Sequence, residues 1–270
     1  MSLLVCIGNC QLSALCRYLR KNDAFLNRFA EIKEYANWQI LERPDLLPIQ
    51  DLKRADVVLY QPLSDIHGCL SMHKGNKQSI FQYISDETLT ISFPRIHNNA
   101  LWPIVRKHRD KPIWYGGESL LPSLEQTLAL YDSGRMDFQF ASRFSRNKAI
   151  SLEKEKDTDI KIFDYIESML PKRRTFLTHD HPTSHVFTEL YRQTCDLLDL
   201  PYVEVSSYEK DENCSGLPDS IYGLPGDAFP ISPYAYSWYG CTYPYMNAVD
   251  ATAFYRKEII ACSSFGKGTL

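Results

Sequence analysis

No apolar run in this chain approaches the roughly 18 residues that a membrane-crossing helix needs. The stretch Leu3-Leu4-Val5-Cys6-Ile7 is too short for the core of a signal peptide, and no basic residue precedes it. A cytoplasmic protein with no membrane span is therefore expected. The sequence also lacks a C-x-x-C pair and an H-E-x-x-H motif, so the strong zinc signatures are missing and no metal is expected. Positive charge is not in excess either. The 30 Lys and Arg against 33 Asp and Glu leave a formal net charge of −3, which excludes a nucleic-acid binder relying on bulk charge. Eight cysteines, Cys6, Cys10, Cys16, Cys69, Cys195, Cys214, Cys241 and Cys262, are scattered without a tight framework and read as reduced thiols. No repeat, low-complexity tract or compositional shift marks a linker. Residues 1–270 thus read as a single domain, long enough to bury a substantial core.

What is present has α/β character. Leu3 to Ile7 is a short apolar run, followed by Gly8-Asn9-Cys10-Gln11 and then by Leu12, Leu15, Cys16 and Leu19 at helical spacing. That is strand, tight turn, helix. Strand patterns return at Ala55–Tyr60, Leu89–Phe93 and Arg174–Thr178, the last followed by a helical stretch from Pro182 to about Leu198. Further helices are predicted at Ser119–Tyr131, Phe138–Asn147 and Asp159–Leu170. Short strands alternating with helices predict a central, mostly parallel sheet flanked by many helices, with the active site at the carboxyl ends of the strands. The segment 216–247 is dense in proline and tyrosine and reads as irregular, either a lid or a packing segment.

Two motifs can carry chemistry. Cys10 stands just after a strand, in a glycine-bearing turn that opens a helix, where unpaired N–H groups and the helix dipole lower a thiol pKa. The N–H groups around Gly8, Asn9 and Gln11, with the Asn9 side chain, form a candidate oxyanion site. A buried, inert cysteine is the alternative. The second motif is His179-Asp180-His181-Pro182-Thr183-Ser184-His185. Proline favours the first helical position, so His181 is predicted to be the N-cap and, beside the helix dipole, to stay neutral and serve as a base. His185 reads as a surface or hydrogen-bonded core residue. A metal set of His179, His181 and His185 is the rival reading.

The blocks Cys6-Ile7-Gly8-Asn9-Cys10-Gln11, Asp56 to Pro62, Phe93-Pro94-Arg95-Ile96 and His181-Pro182-Thr183 together resemble the WcbI-type capsular polysaccharide biosynthesis family over about residues 3 to 200. That resemblance implies an acetyltransferase that binds coenzyme A or acetyl-coenzyme A. It carries over Cys10 and His181 as the catalytic pair. Asp180 stands beside them where the family pattern usually has asparagine.

A coenzyme A site needs cations for its phosphates. Gln61 with His73, Lys74 and Lys77 in the loop beyond it, and Arg95 with His97 after the Phe93-Pro94 strand end, are the candidates. Lys172-Arg173-Arg174 precedes its strand and reads as a solvated basic turn. The expected function is acetyl transfer from acetyl-coenzyme A to a hydroxyl of a saccharide acceptor. A thiol-dependent esterase or hydrolase of lipase-like layout, and a non-catalytic saccharide- or nucleotide-binding protein, are the alternatives.

Overall fold

The computed structural model describes residues 2–73, 75–107, 111–114, 123–205, 229–243 and 248–265. Strand β1 (Leu3–Gly8) is buried along its whole length and runs into helix α1 (Cys10–Leu19). Helix α2 (Asp23–Arg28), capped by the Asn22 side chain, returns the chain to β2 (Glu31–Ala36). Helices α3 (Asn37–Glu42) and α4 (Ile49–Arg54) then lead to β3 (Val57–Tyr60), and a long polar connection leads to β4 (Leu89–Ser92). These four strands form one wholly parallel sheet in the order β2-β1-β3-β4. The α/β expectation is met.

Alternation along the strands divides the core. Leu4, Cys6, Val57, Leu59 and Ile91 point to one face, with Leu15, Tyr18, Phe187, Leu190 and Tyr191 in the same cluster. Leu3, Val5, Ile7, Val58 and Tyr60 point to the other, with Ile40, Leu52 and Ile80. Both faces of β1 are covered, which is why its sequence reads as a continuous apolar run.

After the sheet come an antiparallel pair, β5 (Ile104–Lys107) and β6 (Lys111–Trp114), and the helices α5 (Leu124–Asp132), α6 (Phe140–Glu155) and α7 (Phe163–Met169). Strand β7 (Phe176–Thr178) forms, but it does not join the parallel sheet; it pairs antiparallel with β8 (His181–Pro182) in a separate hairpin. Consequently His181 is not a helix cap. Thr183 gives its N–H to the Thr175 carbonyl at 3.0 Å and its hydroxyl to the Arg174 carbonyl at 2.8 Å, which keeps the chain extended past Pro182. Helix α8 (Ser184–Leu197) starts only after Thr183. It packs on α1, with the Tyr18 and Phe187 rings stacked at 6.1 Å.

The chain ends in α9 (Pro233–Trp238) and α10 (Ala248–Phe265). Of the segment 216–247, residues 216–228 and 244–247 lie outside the described residues. The remainder is not wholly irregular, because Pro233 begins α9 in the first turn, where proline has no hydrogen bond to lose. Of the expected helix at 119–131, residues 119–122 likewise lie outside. No helix among the described residues is long and apolar enough to cross a membrane.

Candidate active site

The carboxyl ends of β1, β3 and β4 lie side by side, since Gln61 N–H continues the ladder to the Ile7 carbonyl and Phe93 N–H to the Tyr60 carbonyl. Cys10 opens α1 at this edge and is exposed; among the described cysteines Cys6, Cys16 and Cys195 are buried and Cys69 and Cys241 are half-buried. Asn9 is the N-cap, its Oδ1 accepting from Gln11 N–H at 2.8 Å. Gly8 is required by close approach. A Cβ there would stand 2.8 Å from Leu12 Cβ and 3.1 Å from Gln61 Oε1.

The N–H groups expected to frame an oxyanion are partly committed. Asn9 N–H donates to Gln61 Oε1 at 2.9 Å and Gln11 N–H to Asn9 Oδ1. Gly8 N–H belongs to β1, and Cys10 N–H is turned to its own thiol.

Two glutamines lock this corner. The Gln11 side chain is fully buried and uses all four of its hydrogen-bonding sites. Its Nε2 donates to the carbonyls of Ile96 and Asp180, both at 2.7 Å. Its Oε1 accepts from Ile96 N–H at 3.0 Å and from Gln61 Nε2 at 3.1 Å. Gln61, expected as a ligand residue, is 1% exposed with both ends of its amide engaged. It holds Asn9 and Gln11 in place. A further link, Asn98 N–H to the His179 carbonyl at 2.6 Å, ties the loop after β4 to the β7–β8 hairpin.

These ties gather the predicted charges. Asp180 Oδ2 lies 3.4 Å from an Arg95 guanidinium nitrogen and its Oδ1 lies 3.6 Å from His179 Nε2. Thr178 Oγ1 donates to Asp180 Oδ1 at 3.5 Å and shares a 2.9 Å hydrogen bond with His181 Nδ1. His179 Nδ1 is buried without a hydrogen-bond partner. Lys154, in the last turn of α6, meets His97 Nδ1 at 3.1 Å. Lys154 reaches the site through tertiary folding alone, whereas Thr178 ends the strand that leads into Asp180 and His181 and could have been found from that position.

The electrostatics correct one expectation and re-explain another. Desolvation, and after it the Asp180 carboxylate, push the Cys10 thiol above its ordinary range; the N–H groups of Cys10 and Gln11 and the Arg95 charge only partly offset this. The helix terminus does not win, and Cys10 rests as a thiol. His181 is held below the ordinary imidazole range, as expected, but desolvation is the cause, followed by His179, and Asp180 opposes it. His97 is driven to about 4 by burial, then by Lys154 and Arg95.

Other candidates are not gathered here. His73 is exposed and faces Asp65 at 3.8 Å, Lys77 is exposed, and Lys74 lies outside the described residues. His185 is buried on α8 against Arg173 at 3.2 Å. Arg174 is not solvated; it is buried and donates to the carbonyls of Phe176 and Phe229. Among the described residues no three His, Cys, Asp or Glu side chains could hold a metal ion.

A model of the polysaccharide biosynthesis enzyme WcbI matches residues 3–202, which contain every group of this site. The chain belongs to the WcbI family. It is thus a member of a family of polysaccharide biosynthesis enzymes. No curated protein matches it. A solved WcbI structure, described as a novel polysaccharide biosynthesis enzyme in its native form without a disulfide bond between coenzyme A and one of its cysteines, superposes with a TM-score of 0.61. The match covers 97% of this chain and 90% of that one; at 16% identity it speaks for the fold.

Proposed function

We propose that this WcbI-family chain is a cytoplasmic O-acetyltransferase that moves an acetyl group from acetyl-coenzyme A to a saccharide precursor hydroxyl, with Cys10 as nucleophile and His181 as base. The observation that carries this reading is one exposed thiol at the carboxyl end of β1, in the field of an Asp180 whose carboxylate also acts on a neutral His181. The description of the solved neighbour, which names coenzyme A beside a cysteine, lends support.

A thiol that rests protonated needs a base at the moment of attack. If the Thr178 hydroxyl proton is directed to Asp180, its lone pair receives the proton of His181 Nδ1, and Nε2 is then a bare acceptor. His181 takes the Cys10 proton as the sulfur attacks the thioester carbonyl, and Cys10 N–H meets the oxyanion. His181 returns that proton to the departing coenzyme A sulfur, leaving the acetyl group on Cys10. In the second half His181 takes the proton of the sugar hydroxyl as its oxygen attacks the Cys10 thioester, then gives it back to the Cys10 sulfur.

Incubation with acetyl-coenzyme A followed by digestion and mass spectrometry tests the reading. The expected product is a single acetyl group on the Cys10 peptide, lost in Cys10→Ala. Coenzyme A at about 100 times its Kd should stabilise the fold by about 2.7 kcal/mol. No shift in melting temperature at millimolar coenzyme A would remove the donor, and a shift without an adduct would remove Cys10 as its carrier.

A further inference from the structure

Arg95, His97 and Lys154 make a corner rich in donors and poor in acceptors. Lysine can only donate, so its 3.1 Å contact fixes His97 Nδ1 as the acceptor, and the neutral ring carries its proton on Nε2. His97 therefore presents a further N–H. The Arg95 side chain is 58% exposed and meets Asp180 through one nitrogen at 3.4 Å. Of these three groups Arg95 is the one paired with the Asp180 carboxylate, which is itself divided among Arg95, His179 and Thr178. Glu155, the neighbour of Lys154, offers no relief. Its Oε1 is turned to the N–H groups of Ile162 and Phe163, at 2.7 Å each. Burial first, and repulsion by the Arg95 charge second, lower the affinity of Lys154 for its proton. An anion bound between them would remove that repulsion.

The position of this corner says which substrate brings the anion. Gln11, the residue after Cys10, holds both backbone groups of Ile96, which stands between Arg95 and His97, so these two residues sit beside the Cys10 turn. Acetyl-coenzyme A must place its thioester at the Cys10 sulfur. Its pyrophosphate is one pantetheine arm away, comparable to four or five extended residues or roughly 15 Å. Donor phosphates and donor thioester cannot both sit here. The cleft beside Arg95 and His97 is lined further by Asn98 and by Asn147, Ser151 and Glu155 of α6 over an apolar floor, and the Glu155 carboxylate there is turned to backbone N–H groups. We propose that Arg95, His97 and Lys154 bind an anionic oxygen group of the acceptor, so that the saccharide receiving the acetyl group carries a phosphate or a carboxylate near the reacting hydroxyl. This rests on the acetyl-transfer reading and moves Arg95 and His97 from the donor side, where the sequence suggested them, to the acceptor side.

Calorimetric titration at neutral pH with D-glucose 1-phosphate, D-glucuronate and D-glucose tests it, with coenzyme A as a separate arm, on the wild type, Lys154→Ala and Lys154→Arg. At least one anionic sugar should bind and glucose should not; which one binds tells phosphate from carboxylate. Lys154→Ala should weaken that binding about tenfold while Lys154→Arg retains it, and the coenzyme A Kd should change by less than about twofold. Equal binding of all three sugars, binding of none, or a loss of coenzyme A affinity in Lys154→Ala as large as the loss for the sugar would overturn the proposal. Acetylation of Cys10, measured on the same samples, reports on the acetyl-transfer reading separately.

Discussion

Gln11 Nε2 donates to the backbone carbonyl of Asp180 at 2.7 Å, across 169 positions of sequence. The residue that follows the candidate nucleophile therefore fixes the residue that precedes the candidate base. Because the same amide also holds both backbone groups of Ile96, the end of β1, the loop after β4 and the β7–β8 hairpin meet at one buried side chain. Few substitutions can reproduce two donors and two acceptors in that space.

Replacing Gln11 with Leu should leave two carbonyls, the Ile96 N–H and the Gln61 Nε2 without the partner each has now. The expected cost is on the order of 2–4 kcal/mol in urea unfolding, since each buried orphan costs about 1–3 kcal/mol and some will find water. Amide exchange at Ile96 should quicken as well. A variant with unchanged exchange there would show that the clamp does not hold the loop.

The raised Cys10 thiol predicts slow alkylation at neutral pH. Iodoacetamide labelling of the Cys10 peptide should rise with pH through a midpoint above the roughly 8.5 of a free cysteine. Asp180→Asn should lower that midpoint, because it removes a negative charge that opposes the thiolate. A midpoint below the free-cysteine value would mean that Cys10 and His181 rest as an ion pair.

Thr178 is a positioning residue in the proposed mechanism. Thr178→Val should lower kcat about tenfold or more, within the usual range for a lost acid–base contribution, with little change in the KM for acetyl-coenzyme A. Thr178→Ser keeps the hydroxyl and should restore most of the rate. Equal losses in Val and Ser would point to packing instead.

His185 predicts an acid limit to stability. In the unfolded chain an imidazole titrates near 6.5, whereas burial first and Arg173 second bring the folded value to about 4. Below pH 6.5 the unfolded state binds more protons, so stability falls as acid is added, mainly between 6.5 and 4; above 6.5 both states are neutral and the contribution is flat. Up to roughly 2–3 kcal/mol should be lost across that window, and His185→Asn should flatten the profile.

The strands β1, β3 and β4 and the helices α1 and α8 were legible because their apolar spacing is set by burial on defined faces. The Cys10 corner was legible for the same reason, being a strand end followed by a helical period. Pro182 misled, since its preference for a helix start was outweighed by the Thr183 bonds to Arg174 and Thr175 that prolong the hairpin. The direction of the Cys10 shift was beyond reach. It depends first on burial by the folded chain and then on a carboxylate 170 positions away, and local sequence holds only the helix terminus that opposes them. Lys154 sits in an unremarkable charged helix end, Lys-Glu-Lys, which carries no local mark of its partner His97.

Strand β2 went unseen because all six of its residues are only half-buried and three of them are charged. It is also one rim of the sheet, with no further strand hydrogen-bonded beyond it among the described residues. Glu31, Lys33 and Glu34 are engaged there by Arg54, Asp51 and Arg20. A strand from another molecule arriving at this rim would have to strip water from those ion pairs before it gained any backbone bond. The charges that hide the strand from a hydrophobic pattern are thus the ones that stop the sheet from growing, and they let a wholly parallel sheet end in water without seeding aggregation.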